Sequence, residues 1–254
     1  MPWAWRYAGA IAAFLAHRYH LAVSENDFAV QALGRCRLFG SLGQGSLEAI
    51  ARNLRTRRFR RGEVLFHQGD PGDALFIMVA GAVKVVVPSE EGDQAILATL
   101  RRGDFFGELA LLDGAPRSAS AVALEATETL ALPRDQFSVL VGTEPAIRDA
   151  LLASMAGELR RLTAHVAELH FLDLTGRLAA RLASLAQEHG MLGPDGSVRL
   201  DAPLTQSDLA AMIGATRQSV NKLLGEFVEK GLLRLDHDTI VVPDVEALVR
   251  ASRR

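Results

Sequence analysis

Sixteen residues near the middle of the chain, Phe106-Gly-Glu-Leu-Ala-Leu-Leu-Asp-Gly-Ala-Pro-Arg-Ser-Ala-Ser-Ala, bring together groups that could seat an anion. Gly107 opens a short helical turn whose first amides lack partners and can face a negative charge. Glu108 supplies a carboxylate able to accept from a ribose hydroxyl, while Arg117 and Ser118 add a guanidinium fork and a hydroxyl suited to one phosphate. A plainer reading is a β-turn-β with an exposed ion pair between Glu108 and Arg117, and the residue types alone leave both open.

A second group lies between residues 205 and 230. Thr205-Gln-Ser-Asp reads as a capping box, a hydroxyl for a free amide and a carboxylate three residues on, opening a helix to Ile213. Gly214-Ala-Thr is a tight turn, and Arg217 to Lys230 reads as a second helix burying Val220, Leu223, Leu224 and Phe227. Two helices joined so tightly let the second enter a major groove while the first braces the backbone. Arg217, Gln218 and Lys222 stand on the outward face, with no acidic residue from Ala210 to Gly225. Arginine grips guanine O6 and N7, glutamine suits adenine, and lysine reaches guanine or phosphate. Thr205, Gln206 and Ser207 would contact phosphates and so fix register without reading sequence. The alternative is a solvated helix face. After Gly231, runs at Leu232–Leu235 and Thr239–Val242 make a small wing around Asp236-His-Asp.

From about Leu33 to Arg134 the chain runs in short β-rich pieces separated by glycine turns, among them Glu63-Val-Leu-Phe, Ala74-Leu-Phe-Ile-Met-Val, Val83-Lys-Val-Val-Val and Ala95-Ile-Leu-Ala-Thr-Leu. Many short strands with regular turns predict an antiparallel sandwich or barrel. Arg60-Arg-Gly-Glu and Arg101-Arg-Gly-Asp read as one turn used twice. After Pro145 the period becomes helical, with Ile147, Leu151, Met155, Leu159, Leu162, Val166 and Leu169 on one seam and no proline until Pro194. Such a seam wants a partner helix, and a second copy of itself supplies one in a parallel two-stranded coil; packing on its own domain is the other reading. A further helix runs through Ala186, and Gly190 to Gly196 reads as a loop with Gly-Pro-Asp-Gly turn chemistry.

Composition sets wide bounds. With 254 residues, 49% hydrophobic and 23% charged, the chain is a folded protein of one large or two ordinary domains. The lone Cys36 can form no internal disulfide and cannot hold an iron-sulfur cluster, so a reducing, cytoplasmic setting is the expectation. A net charge of -2 is silent about nucleic acid, which responds to where the cations cluster. Six arginines between Arg52 and Arg61 read as a solvated face, or less simply as a phosphate patch. The apolar run Ala8–Ala16 is too short to cross a bilayer, lacks a cleavage site, and reads as a short amphipathic helix. His17 and His20 lie one helical turn apart, but no third ligand accompanies them, so no metal is expected.

The Phe106–Ala121 segment resembles the phosphate-binding cassette of the CRP/FNR family. Phe171-Leu-Asp-Leu-Thr-Gly-Arg and Gly214-Ala-Thr-Arg-Gln-Ser-Val-Asn-Lys resemble that family's hinge and recognition helix, the likeness covering about residues 33–245. The resemblance implies an α+β chain: a cyclic-nucleotide-binding β-roll or double-stranded jelly roll (31–144), a long dimerisation helix (145–172) and a C-terminal winged helix-turn-helix (173–254), while residues 1–30, outside the likeness, read as a helical N-terminal extension. By the same resemblance Gly107, Glu108, Leu109, Arg117 and Ser118 would hold the ribose and cyclic phosphate of cAMP, with Leu162 and Thr163 facing its base. Arg217, Gln218 and Lys222 would face DNA bases. It further implies a homodimer on a palindromic site, DNA bending, contact with RNA polymerase, and neither an enzyme nor a membrane protein.

Three departures stand out. Where cAMP-responsive members often place a threonine and a polar neighbour against adenine, this chain has Leu162 and Thr163, and leucine cannot hydrogen-bond a base. Another cyclic nucleotide, cyclic di-GMP, or activity without a ligand therefore stay open beside cAMP. Gln218 stands where many relatives carry glutamate, which moves the preferred base from cytosine toward adenine and away from the familiar TGTGA. No cysteine cluster accompanies the sensor, against the oxygen-sensing iron-sulfur branch. A cyclic-nucleotide-gated enzyme or channel finds no catalytic triad or transmembrane run here, and a nucleotide-binding scaffold without DNA is a remaining competitor.

Overall fold

The computed structural model describes residues 25–89, 93–200, 204–236 and 239–252. The apolar run Ala8–Ala16 and the pair His17 and His20 lie outside them, as does the wing tip at His237 and Asp238. Among the described residues two helices come first, α1 (Glu25–Arg35) and α2 (Gln44–Ala51). Then follow β1 (Arg55–Phe59), β2 (Val64–Phe66), β3 (Ala74–Ala80), β4 (Val83–Pro88), β5 (Gln94–Leu100) and β6 (Phe105–Phe106). A single turn of helix, α3 (Leu109–Leu112), leads to β7 (Ser120–Ala123) and β8 (Thr127–Pro133). The β-rich reading from Leu33 is thus corrected at its start. Helix α2 forms there because Leu47, Ile50 and Ala51 bury one face, tertiary packing deciding a segment too short for propensity to fix.

The eight strands close into two antiparallel four-stranded sheets, β1-β8-β3-β6 and β2-β7-β4-β5. Between them lies a small core of Phe76, Met78, Val83, Phe106, Ala121 and Ala131. The continuous apolar run of β3 is explained by burial on both faces. Its alternate residues Leu75, Ile77 and Val79 pack outward against helices, with Leu33, Phe39, Phe137 and Ile147. The arginine-rich stretch becomes the edge strand β1, exposed except for half-buried Phe59, and Arg58 pairs with Glu128 at 2.9 Å. The repeated tetrapeptide does build one turn twice. Gly62 (φ 80°) and Gly103 (φ 92°) both adopt left-handed backbone, and the amides of Arg60 and Arg101 each donate at 2.8 Å to the carboxylates of Glu63 and Asp104.

Helix α4 (Arg134–Thr143) covers one sheet, and α5 (Pro145–Phe171) follows with its proline in the first turn, where a missing amide costs nothing. Its 27 residues make a rod about 40 Å long. Ile147 and Leu151 are buried on the chain's own domain. Beyond them Leu152, Leu159 and Val166 are 65%, 66% and 53% exposed, and Met155, Leu162 and Leu169 are exposed as well. No helix among the described residues is long and apolar enough to cross a membrane.

The last third holds α6 (Leu174–His189), α7 (Gln206–Ile213), α8 (Arg217–Glu229) and α9 (Val245–Ala251). A four-stranded sheet in the order β11-β12-β10-β9 completes it, from β9 (Met191–Leu192), β10 (Val198–Leu200), β11 (Arg234–Asp236) and β12 (Thr239–Val242). The wing is therefore larger than two strands. The segment read as a loop, Gly190 to Gly196, carries β9, which pairs across the Gly193–Gly196 turn with β10 just beyond it, and β12 offers β10 its other edge.

Candidate functional site

Arg117 is the centre of the first site. It is 3% exposed, and its guanidinium lies 4.3 Å from the ring centroid of Phe66. Nη1 donates to the Gly107 carbonyl at 2.6 Å, and Nη2 donates to the Ala74 carbonyl at 2.8 Å and to Asp73 at 3.2 Å. Burial lowers the proton affinity of this arginine, an effect that the nearby Asp73 opposes. Nε is buried without a partner among the described residues. Among them, no ion pair joins Glu108 to Arg117, so the plain β-turn-β reading of the segment loses its salt bridge.

Gly107 permits this arrangement in two ways. Its φ of 83° suits glycine, and a Cβ there would sit 2.5 Å from Arg117 Nη1. Backbone and guanidinium can meet only because no side chain intervenes. Glu108 follows, half-buried at the start of α3, and burial raises its pKa, helped by the charge of Glu158 on α5. Ser118 and Leu109 are exposed beside it. Leu162, 40% exposed, lies one turn beyond Glu158 on α5. The hydroxyl of exposed Thr163 donates to the Leu159 carbonyl at 2.9 Å, which leaves its oxygen free only as an acceptor. The sequence reading missed Asp73 and Glu158; an acidic residue in a loop and another on a helix carry no local signature of a shared site.

The second site is built by helix caps. Thr205 accepts from the Asp208 amide at 3.1 Å while Asp208 accepts from the Thr205 amide at 2.9 Å, a complete capping box. Helix α7 ends at Gly214 in left-handed conformation (φ 65°, ψ 49°), and Arg177 reaches from α6 to donate to the Ile213 carbonyl at 2.9 Å. Thr216, not singled out in the sequence, caps α8 by accepting from the Ser219 amide at 3.2 Å. Val220, Leu223, Leu224 and Phe227 are buried beneath α8 as their spacing predicts, so Arg217, Gln218 and Lys222 face outward and are exposed. Lys222 has Glu226 one turn on, at 4.0 Å. Thr205 and Ser207 are exposed, and Gln206 bonds Asn221 of α8 at 3.1 Å, bracing the two helices.

Elsewhere among the described residues no group of three or more metal-ligating side chains occurs. Burial pushes the Cys36 thiol up to about 11, so it is not a poised nucleophile.

Residues 56–144 match the cyclic nucleotide-binding domain family, and residues 176–251 match the Crp-like helix-turn-helix domain family. A CRP-like cAMP-activated global transcriptional regulator of Mycobacterium tuberculosis is 34% identical over 221 residues, 87% of this chain and 98% of that protein. In fold the chain is similar to FixK2 of Bradyrhizobium japonicum (TM-score 0.71, 23% identity, 78% of this chain and 96% of that one). It is similarly close to the c-di-GMP responsive global regulator CLP of Xanthomonas campestris (TM-score 0.68, 23% identity, 80% and 100%). A nucleotide-binding roll joined to a helix-turn-helix, matched along nearly the whole of a regulator, places this chain in the CRP/FNR family of transcription regulators.

Proposed function

We propose that the chain works as a cytoplasmic homodimer whose β-roll takes cAMP between the α3 cassette and α5, and whose paired α8 helices read a palindromic DNA site beside RNA polymerase. The observation that carries the sensor half is the Arg117 guanidinium. It is oriented by three acceptors and stacked on Phe66, yet retains a buried donor with no partner among the described residues. A preorganised fork of this kind suits a cyclic phosphate, with Ser118 beside it and Glu108 for the ribose. Thr163, left with acceptor capacity only, suits an exocyclic amino group such as adenine N6. That supports cAMP although Leu162 offers no hydrogen bond. Exposed apolar side chains from Leu152 to Leu169 support the dimer. Ligand acts by binding the DNA-competent arrangement more tightly than the other, bringing the recognition helices to a spacing of ~34 Å.

Isothermal titration with cAMP, cGMP and cyclic di-GMP tests the sensor. Micromolar or tighter binding of cAMP is expected. Preference for cyclic di-GMP, the ligand named for the Xanthomonas campestris protein, would replace it, and no binding to any would make the cassette a remnant in a ligand-independent regulator. Arg117→Ala is expected to remain a folded dimer and to lose ligand-stimulated DNA binding, by about tenfold or more in stimulation; undiminished stimulation would sink the assignment.

A further inference from the structure

The sheet β2-β7-β4-β5 works on both faces. Inward, Val83 and Ala121 pack with Phe76 and Phe106, and Phe66 at the end of β2 lies under Arg117. Outward, Val86 of β4 and Ile96 of β5 are buried in the same cluster as Leu178, Leu209, Met212 and Phe227 of the helix-turn-helix domain.

One rung of this sheet carries polar bonds to that domain. Lys84 of β4 lies directly across from Thr99 of β5 on one side and Val122 of β7 on the other. The Lys84 ammonium meets Asp208 of α7 at 2.7 Å, with side-chain exposures of only 19% and 9%. Thr99 Oγ1 lies 3.3 Å from His189 Nε2, at the last residue of α6. The rung thus holds the start of one helix and the end of another, while its third member belongs to the strand that leaves the cassette two residues after Ser118. Asp208 is also the capping carboxylate of α7. Lys84 therefore grips the end of α7 where the phosphate-positioning residues Thr205, Gln206 and Ser207 stand.

We infer that the Lys84–Thr99 rung is an intraprotomer clamp that couples the anion site to the DNA-reading domain through the sheet, in addition to any movement of the α5 seam. Ligand seated on Arg117 and Ser118 fixes the start of β7, β7 fixes β4 through their ladder, and β4 fixes α7 through a shielded ion pair. A charge-assisted hydrogen bond with this little solvent is strong enough to transmit such a bias. The clamp rests on the reading of the chain as a ligand-controlled DNA-binding protein, and its test has one arm that does not.

The variant is Lys84→Met, which keeps the stem and removes the charge, with Lys84→Arg as the conservative control. Asp208 is left untouched because its loss would also uncap α7. Hydrogen exchange on the full-length protein without ligand or DNA reads the clamp itself. Amides of α7 should lose about tenfold in protection in Lys84→Met and recover in Lys84→Arg. Titration calorimetry and DNA-binding assays read the coupling. Affinity for cAMP should stay within about twofold, because Lys84 does not touch the cassette, while the ligand-induced gain in DNA affinity should shrink about fivefold or more. Unchanged exchange would overturn the clamp, and changed exchange with an undiminished ligand-induced gain would overturn its role in coupling. Were the wild type unresponsive to any cyclic nucleotide, the sensor reading would fall, and unchanged exchange and basal DNA affinity in Lys84→Met would then overturn the clamp independently.

Discussion

His189 closes α6 against the β-roll with a side chain only 12% exposed. Burial depresses its pKa below the ordinary 6.5, Arg101 and Arg181 adding to the effect while Glu188 and Asp104 oppose it. The folded chain accordingly binds this proton less readily than the unfolded one. The stability it contributes is complete above pH 6.5 and is lost as pH falls from there through the depressed value. We expect Tm to drop by a few degrees between about pH 7.5 and pH 5.5, and the drop to shrink in His189→Gln, which keeps a hydrogen-bonding partner for Thr99. A pH dependence identical in the variant would show that other groups carry it. At this scale the sequence was informative about chemistry and poor about environment. Arg117 and Gly107 could be named from residue type, but their contact depends on Gly107's missing Cβ, and two of Arg117's three acceptors, Asp73 and Ala74, lie more than forty residues away in sequence. Asp73, Lys84 and Glu158 gave no local sign at all.

Caps decide the recognition element. Helix α8 starts at Arg217 because Thr216 turns the chain and accepts an amide. Thr216→Ala is expected to cost about 1 kcal/mol of stability in the reader domain, measured by urea denaturation. It should weaken binding equally to matched and scrambled sites, since the loss lies in positioning; a change confined to one base position would contradict this. Elements with strong local grammar were legible. The capping box, the left-handed Gly214 and the spacing of Val220, Leu223, Leu224 and Phe227 mark α7 and α8 with hardly a residue of error. Elements made by context were not. Strand β9 is two residues long, β10 three, and α9 seven, and each is held by neighbours that the local sequence does not specify.

Across the whole molecule, α5 is the unfinished part of the chain, burying its first turns on its own domain and leaving the rest of an apolar seam in solvent. Leu159→Asp places a charge at the centre of that seam. Sedimentation should then show a monomer with an intact β-roll, and affinity for a palindromic site should fall by about a hundredfold or more as the second half-site contact is lost. A dimer that survives would move the interface elsewhere.

The buried positions of Val86 and Ile96 carry one more consequence. Both belong to the sensor's sheet, yet their surroundings are the reader's core. Withdrawing the reader would wet both, at about 1.5–3 kcal/mol for each side chain fully exposed. The two halves therefore do not behave as a cartridge and its socket. A reader grafted onto a foreign sensor would arrive with part of its own interior missing, so chimaeras joined at Leu172 should keep their stability only when β4 and β5 travel with the helix-turn-helix.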